Sequence, residues 1–97
     1  MNNRKKVFVT REILPEGLEL LKKNFDVDLW IDYAPPSKET IKEHIKDADA
    51  ILTMLSDKID AEIINAAPKL KIIAQLAVGY DNIDLEAAKK RGIYVTN

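Results

Sequence analysis

A chain of 97 residues has room for one small domain, and we expect residues 1–97 to form a single unit around one core. Its 15 basic and 16 acidic side chains leave a formal net charge of -1, which argues against binding to nucleic acids or anionic membranes. The absence of cysteine excludes disulfides and thiolate metal sites and favours a cytoplasmic location, and no apolar run approaches the roughly 20 residues that span a bilayer.

The first half of the chain predicts two strands and two helices in alternation. Residues 6–10 are rich in strand-forming side chains, and Pro15 stands where the first turn of a helix accepts proline. Residues 27–31 predict a more polar strand, after which Ser37 can cap a second helix. Apolar residues at helical spacing mark the faces that these helices bury: Leu14, Leu18, Leu21 and Phe25 in the first, and Ile41 and Ile45 in the second.

The second half continues the alternation with three strands and two helices. The predicted strands are 50–55, 70–78 and 93–96. The first two are almost entirely apolar, which is typical of central strands covered on both faces. Asp60 and Asp84 are suitable N-caps for the helices between the strands, and Gly92 stands where the last helix would end in a left-handed residue.

Five strands joined by four helices predict an α/β fold with an open parallel sheet and right-handed crossovers. The polar second strand belongs at an edge, which favours the flavodoxin-like order 2-1-3-4-5. In that fold the first helix shares its sheet face with a fifth helix, for which this chain has no segment. We therefore expect an apolar strip beside the first helix, and we expect it to be covered by a second copy of the chain, as a homodimer, or by another partner.

Ligands of such sheets bind beyond the carboxyl ends of the strands. Residues 10–14 follow the first strand without any glycine, so we expect no nucleotide or flavin cofactor to bind this chain. Val78 and Gly79 follow a buried strand, and consecutive backbone N–H groups there could hold a carboxylate, although a simple turn glycine is the alternative. The loop at residues 55–58, which begins with Leu55 and Ser56 and continues with Asp57 and Lys58, follows the neighbouring strand and could form the other wall, or it could be an ordinary polar turn.

Other candidate sites are less well supported by the residues present. Asp81, Asn82 and Asp84 provide too few oxygen ligands for a calcium loop, and we expect no metal site. His44 falls on the polar side of the second helix, so we expect solvated surface and no histidine–carboxylate pair. A receiver-like regulatory domain shares this architecture, but its paired acids after the first strand are absent, because that strand is followed by Arg11.

The stretch Val-Gly-Tyr-Asp-Asn-Ile-Asp at residues 78–84, with its flanking strands, resembles the substrate-binding domain of D-2-hydroxyacid dehydrogenases. Within that family it is most similar to the glyoxylate and hydroxypyruvate reductases. The resemblance extends over essentially the whole chain, because residues 6–11 and 50–57 also look like the family's first and third strands with their loops.

The resemblance implies that the backbone amides of Val78 and Gly79 hold the substrate carboxylate and that Leu55 and Ser56 line the pocket. It also implies that the catalytic arginine, glutamate and histidine, and the NAD(P) site, belong to segments that this chain does not contain. Neither Arg11 nor Arg91 has the matching context. We therefore expect no catalytic residue here and no turnover by the chain alone.

The resulting hypothesis is a truncated substrate-binding half-domain, which binds a small 2-oxo or 2-hydroxy acid weakly. Its parent family would reduce 2-oxo acids to D-2-hydroxy acids with NAD(P)H. The alternative is an engineered or structural flavodoxin-like fragment that acts only as a self-associating fold. A receiver-like domain is the second alternative.

Overall fold

The computed structural model describes residues 4–11, 13–32, 34–54, 57–76, 79 and 81–96. Strands and helices alternate along it. The strands are β1 (Lys6–Val9), β2 (Asp26–Leu29), β3 (Ala50–Thr53), β4 (Ile72–Gln75) and β5 (Tyr94–Thr96). The helices are α1 (Pro15–Asn24), α2 (Lys38–Ile45), α3 (Ala61–Asn65) and α4 (Leu85–Lys90). No helix in the described part of the chain is long and apolar enough to cross a membrane.

The five strands form one parallel sheet in the order β2-β1-β3-β4-β5, which confirms the predicted fold class and the edge position of β2. In register, Phe8 of β1 lies beside Ile51 of β3, which lies beside Ile73 of β4. These three side chains therefore point to the same face, because side chains alternate along a strand. The carboxyl ends of all five strands meet at one edge of the sheet.

The core lies on the face shared by α2, α3 and α4. Phe8, Ile51 and Ile73 of the sheet pack there against apolar residues of the three helices. The helical members of this cluster are Ile41 and Ile45 of α2, Ile63 and Ile64 of α3, and Ala88 of α4. Ile41 and Ile45 thus occupy the predicted buried face of α2.

Helix α1 contributes nothing to that cluster, because right-handed crossovers place it on the opposite face of the sheet. None of its ten residues is buried. The predicted stripe is wrong at Leu14, which precedes the helix and is exposed, whereas Leu18, Leu21 and Phe25 are partly buried. The opposite face is also open at its far side, where Ile72 is 41% exposed and Tyr94 is 74% exposed.

The predicted N-caps are confirmed at three helices. The side chains of Ser37, Asp60 and Asp84 accept hydrogen bonds from the backbone N–H groups of Thr40, Ile63 and Ala87. Gly92 has a φ of 68°, as expected of a glycine that ends a helix in the left-handed region.

The prediction for His44 is wrong. Its Nδ1 lies 2.6 Å from Asp28 Oδ2, and its ring stacks on Phe8 with 4.7 Å between ring centroids. Trp30 meets the same ring edge-on. Helix α2 packs over the β1–β2 edge of the sheet, so a side chain on the flank of the helix reaches Asp28 in β2 and forms the pair that the sequence pattern did not indicate.

The predicted strand over 70–78 is also too long and too apolar. Leu70 is buried before β4 begins, and β4 ends at Gln75, whose side chain is 2% exposed. Leu76 is already exposed beyond the strand. The buried amide of Gln75 is the first sign of a polar network at the carboxyl edge of the sheet.

Candidate functional site

A buried carboxylate closes the carboxyl ends of β1 and β3. Asp57 is 3% exposed, and its Oδ2 accepts hydrogen bonds from the Thr10 hydroxyl over 2.5 Å and from the Met54 backbone N–H over 2.9 Å. The Asp57 N–H in turn donates to the Met54 carbonyl over 3.0 Å. Residues 54 and 57 are therefore fixed to each other and to the end of β1.

Two amide side chains connect this corner to the loop after β4. The Asn82 Nδ2 donates to the carbonyl oxygens of Asp57 and Met54, over 2.6 and 3.2 Å, and to Gln75 Oε1 over 2.6 Å. The Gln75 Nε2 donates to Asn82 Oδ1 over 2.8 Å and to the Gly79 carbonyl over 2.9 Å. The hydroxyl of Thr53, a residue with no exposed surface, also donates to Gln75 Oε1.

The backbone joins the same two loops through a short parallel bridge between Ile59 and Ile83. The Ile59 N–H donates to the Asn82 carbonyl over 2.8 Å, and the Asp84 N–H donates to the Ile59 carbonyl over 2.9 Å. Ile59 and Ile83 are buried in the core. The described residues of the loops after β3 and β4 are therefore joined both by side-chain hydrogen bonds and by backbone hydrogen bonds.

Gly79 is the one residue of the predicted substrate-binding set that the structure describes. It lies four residues after the end of β4, its φ is 90°, and a Cβ placed on it would meet no atom within 4 Å. The backbone here is approachable from one side, as a backbone anion site requires. Val78, Leu55 and Ser56 lie outside the described residues, so their roles stay predictions.

The residues that follow β1 do not form a dinucleotide-binding site. Such a site needs a glycine-rich turn that presents N–H groups to the pyrophosphate. The described residues from Thr10 to Leu14 contain no glycine, and the Thr10 hydroxyl is already committed to Asp57.

Other groups singled out from the sequence have structural roles. Arg91 donates from Nη1 to the Ile64 carbonyl and from Nη2 to the Ala67 carbonyl, which caps the end of α3. Within the described ranges, no three acidic or histidine side chains are grouped as a metal ion would require. Asp57 is too buried to serve as the phospho-acceptor of a receiver domain.

Sequence reasoning missed Gln75 and Asn82 as parts of the site, and it included Asp57 in a possible pocket wall without indicating its burial or its hydrogen bonds. Only Gln75 left a signal, because it is an uncharged amide within an otherwise apolar strand, and such a residue needs partners when buried. Asp57 and Asn82 stand in polar loops, where their residue types are common and carry no distinguishing pattern.

Comparison with known proteins places this geometry in a family context. Residues 7–97 match the model of the catalytic domain of D-isomer specific 2-hydroxyacid dehydrogenases. A glyoxylate reductase from Korarchaeum cryptofilum is 61% identical over 92 residues, which are 95% of this chain and 28% of that protein. The chain therefore spans about 28% of the length of this curated relative.

Solved structures show the same relationship. A protein from Pyrococcus horikoshii is 45% identical with a TM-score of 0.88, over 97% of this chain and 28% of its own. A 3-phosphoglycerate dehydrogenase from Entamoeba histolytica, crystallised with bound NAD+, is 38% identical with a TM-score of 0.80, over 95% of this chain and 32% of its own.

Proposed function

The chain belongs to the family of D-isomer specific 2-hydroxyacid dehydrogenases, and from that premise we propose that it binds the carboxylate of a small 2-oxo or 2-hydroxy acid such as glyoxylate. The backbone at Gly79 would donate to the carboxylate oxygens, together with that of Val78. Leu55 and Ser56 would form the facing wall. The observation that carries the proposal is the conformation of Gly79, an approachable backbone with positive φ at the carboxyl edge of the sheet.

Physical chemistry supports this arrangement. Successive N–H groups around a residue with positive φ form a concavity that favours anions. The carboxyl edge of a parallel sheet is also where open α/β folds bind their ligands. The site lacks a positively charged side chain among its described residues, so we expect weak affinity, with dissociation constants in the millimolar range.

The activity that we propose for the family to which this chain belongs is the reduction of a 2-oxo acid to a D-2-hydroxy acid with NAD(P)H. We propose that the 97-residue chain alone has no such activity and binds no NAD(P). The support for this is the segment after β1, whose described residues lack the glycine-rich turn of a dinucleotide-binding site. A cytoplasmic location is part of the same proposal, and fractionation of the source cells tests it.

Titration of the ¹⁵N-labelled chain with glyoxylate tests the binding proposal. We expect selective shifts of the Val78 and Gly79 amide resonances, and no such shifts with methyl glyoxylate, which lacks the charged carboxylate. The proposal is wrong if glyoxylate leaves both amides unmoved, or if the ester shifts them equally. Turnover of NADH or NADPH by the pure chain with glyoxylate would contradict the proposed inactivity.

A second copy of the chain is the partner that we propose for the open side of the sheet. Ile72 borders a groove of about 170 Å³ on that side. The residues lining the groove are Lys5, Phe25, Asp49, Ala50, Lys71 and Ile72. Its walls combine apolar surface with charges of both signs. Across a two-fold axis, the basic side chains of one copy can therefore lie beside the acidic side chain of the other. The structural alternative, a fragment that only self-associates, predicts the same contact without glyoxylate binding.

A further inference from the structure

Two neutral amide side chains join the described residues of the loops that follow β3 and β4. We propose that Asn82, with Gln75 as its partner, is the positioning residue that links Met54 and Asp57 to Gly79, next to the residues proposed to bind substrate. This inference rests on the proposed function for its connection to substrate. Its structural part, that one side chain holds both segments in place, can be tested without any ligand.

The orientation of both amides follows from their partners. The carbonyl oxygens of Met54 and Asp57 can only accept hydrogen bonds, so the group of Asn82 that faces them must be its NH₂. By the same reasoning, the Gln75 NH₂ must face the Gly79 carbonyl. The two amides then form a reciprocal pair, in which each donates to the other.

The hydrogen-bond partners of this amide pair are neighbours, along the chain, of the residues predicted to bind substrate. Met54 and Asp57 stand on either side of Leu55 and Ser56, so Asn82 holds both ends of that segment through their carbonyl groups. Gln75 holds the Gly79 carbonyl next to Val78. Met54 and Asp57 are therefore joined to Gly79 by a chain of hydrogen bonds with no link longer than 3.2 Å.

Residue chemistry explains why neutral amides suit this position. Each amide offers two N–H groups and an acceptor without charge, so it can join several carbonyl groups in a partly buried place. Asn82 reaches three acceptors with its two N–H groups because one N–H is shared between two of them. A carboxylate at position 82 has no N–H group, so it could not donate to the three oxygen atoms that accept hydrogen bonds from Asn82. It would also place a negative charge beside carbonyl oxygens. It would also stand close to the site proposed for the substrate carboxylate.

Amide hydrogen exchange of the ligand-free chain tests the structural part. In Asn82→Asp we expect exchange to accelerate by about tenfold or more at Asp57 and at Leu76, whose N–H groups donate to the Met54 and Thr53 carbonyls at the starts of the two loops, since lost hydrogen bonds favour local opening. Exchange at Lys71 and Tyr94, whose N–H groups are bonded at the opposite edge of the sheet, should stay unchanged. Asp81→Asn, which changes an exposed neighbour in the same loop, is the matched control and should alter neither segment.

Gln75→Met provides a second, uncharged variant that keeps the length of the side chain. We expect the same acceleration at Leu76, and it can be measured if Asn82→Asp fails to fold. The inference is overturned if only one segment responds to Asn82→Asp, if neither responds, or if Lys71 and Tyr94 accelerate by the same factor. In the last case the residue would serve general stability alone.

Glyoxylate titration of the same variants tests the connection to substrate. We expect Gln75→Met to raise the dissociation constant at least about tenfold, and because this variant adds no charge, the loss cannot come from repulsion. If the wild-type chain shows no shifts at Gly79, the proposed function fails while the exchange data still decide whether Asn82 joins the segments. If the wild type binds and Gln75→Met binds equally well, the positioning role is wrong and the proposed function stands.

Discussion

Gly79 shows how a single backbone conformation shapes the site. Its φ of 90° lies in the region that residues with a Cβ rarely adopt. The space around it is open, so the need for glycine at this position comes from the backbone angle and not from crowding. Gly17 in α1 is the opposite case, because a helical glycine has ordinary backbone angles and loses more conformational freedom on folding than alanine does.

These two glycines predict opposite effects of the same substitution. Gly79→Ala should lower the free energy of unfolding by about 1–2 kcal/mol, the usual cost of the left-handed region for a residue with a Cβ. Gly17→Ala should raise it by about 0.5–1 kcal/mol, since the new Cβ meets Ile13 Cδ1 only at an ordinary 3.4 Å. Urea denaturation of both variants measures the two changes. Equal signs would show that backbone angle does not govern position 79.

At this scale, sequence reasoning succeeds where one residue type has one local use. Ser37, Asp60 and Asp84 were predictable as caps because their side chains bond to backbone only three residues away. His44 and Asn82 were not predictable, because their partners are 16 and at least 7 residues distant and depend on how the elements pack.

Helices α2 and α3 are joined at their exposed surfaces by ion pairs. Lys38 lies 2.8 Å from Asp60 and 3.0 Å from Glu62, and Lys42 lies 2.5 Å from Glu62. Hydrogen bonds from Lys42 and then Lys38 lower the pKa of Glu62 below its ordinary value of 4.5. The bond to Glu62 raises the pKa of Lys42 above its ordinary value of 10.5. Charge pairing thus adds to the apolar contact between these helices.

The direction of these pKa shifts determines the pH range in which the pairs stabilise the fold. Because the pKa of Glu62 is lowered on folding, its contribution is present above about 4.5 and is lost as the pH falls through the lowered value. The Lys42 contribution is present below 10.5 and is lost as the pH rises through the raised value. Between these limits both contributions are in place.

Glu62→Gln should therefore lower the Tm at pH 7 and at low salt. The difference from wild type should shrink below pH 4 and in about 1 M salt, since these pairs are exposed and are screened by ions. Calorimetry over pH and salt measures it. Glu39→Gln is the control, because Glu39 is more exposed and lies 3.8 Å from Lys42. A Tm difference that persists at low pH would indicate that packing, rather than charge, is responsible.

The element boundaries also show the limits of prediction at this scale. Apolar runs indicated that β3 and β4 are central, and the sheet order confirms it. They did not indicate where β4 ends, because Leu70 and Leu76 are apolar yet lie outside the strand. The strand ends where backbone pairing with β3 ends, and this depends on the partner strand rather than on hydropathy.

The whole sheet is covered unequally on its two faces. One face lies beneath α2, α3 and α4, whereas the other has α1 at one side and exposes Ile72 and Tyr94 at the other. This asymmetry was predictable from the alternation of elements together with the polar second strand, which indicated the strand order, and the right-handed crossovers. The residue pattern of one chain does not identify the molecule that covers this exposed part, because that depends on a second surface.

Ile72→Glu tests the proposed self-association. We expect light scattering of the wild-type chain to give a mass that rises toward that of a dimer with concentration, and the variant to remain a monomer because a carboxylate on the strip must be desolvated for contact. Leu85→Glu is the matched control, since Leu85 is similarly exposed but begins α4 on the other face, where a helix N-terminus accepts an acidic residue. A wild-type chain that stays monomeric at every concentration would contradict the proposal.

The bridge between Ile59 and Ile83 also determines when the two loops can become ordered. A ribosome makes residue 59 before residues 82 and 84, so the backbone groups of Ile59 leave the exit tunnel before their partners exist. Strands β1, β2 and β3 can pair at that stage, because each is already complete. The link between the loops after β3 and β4 therefore forms later than the first three-stranded part of the sheet, and only β5 and the helix before it are made after that link becomes possible.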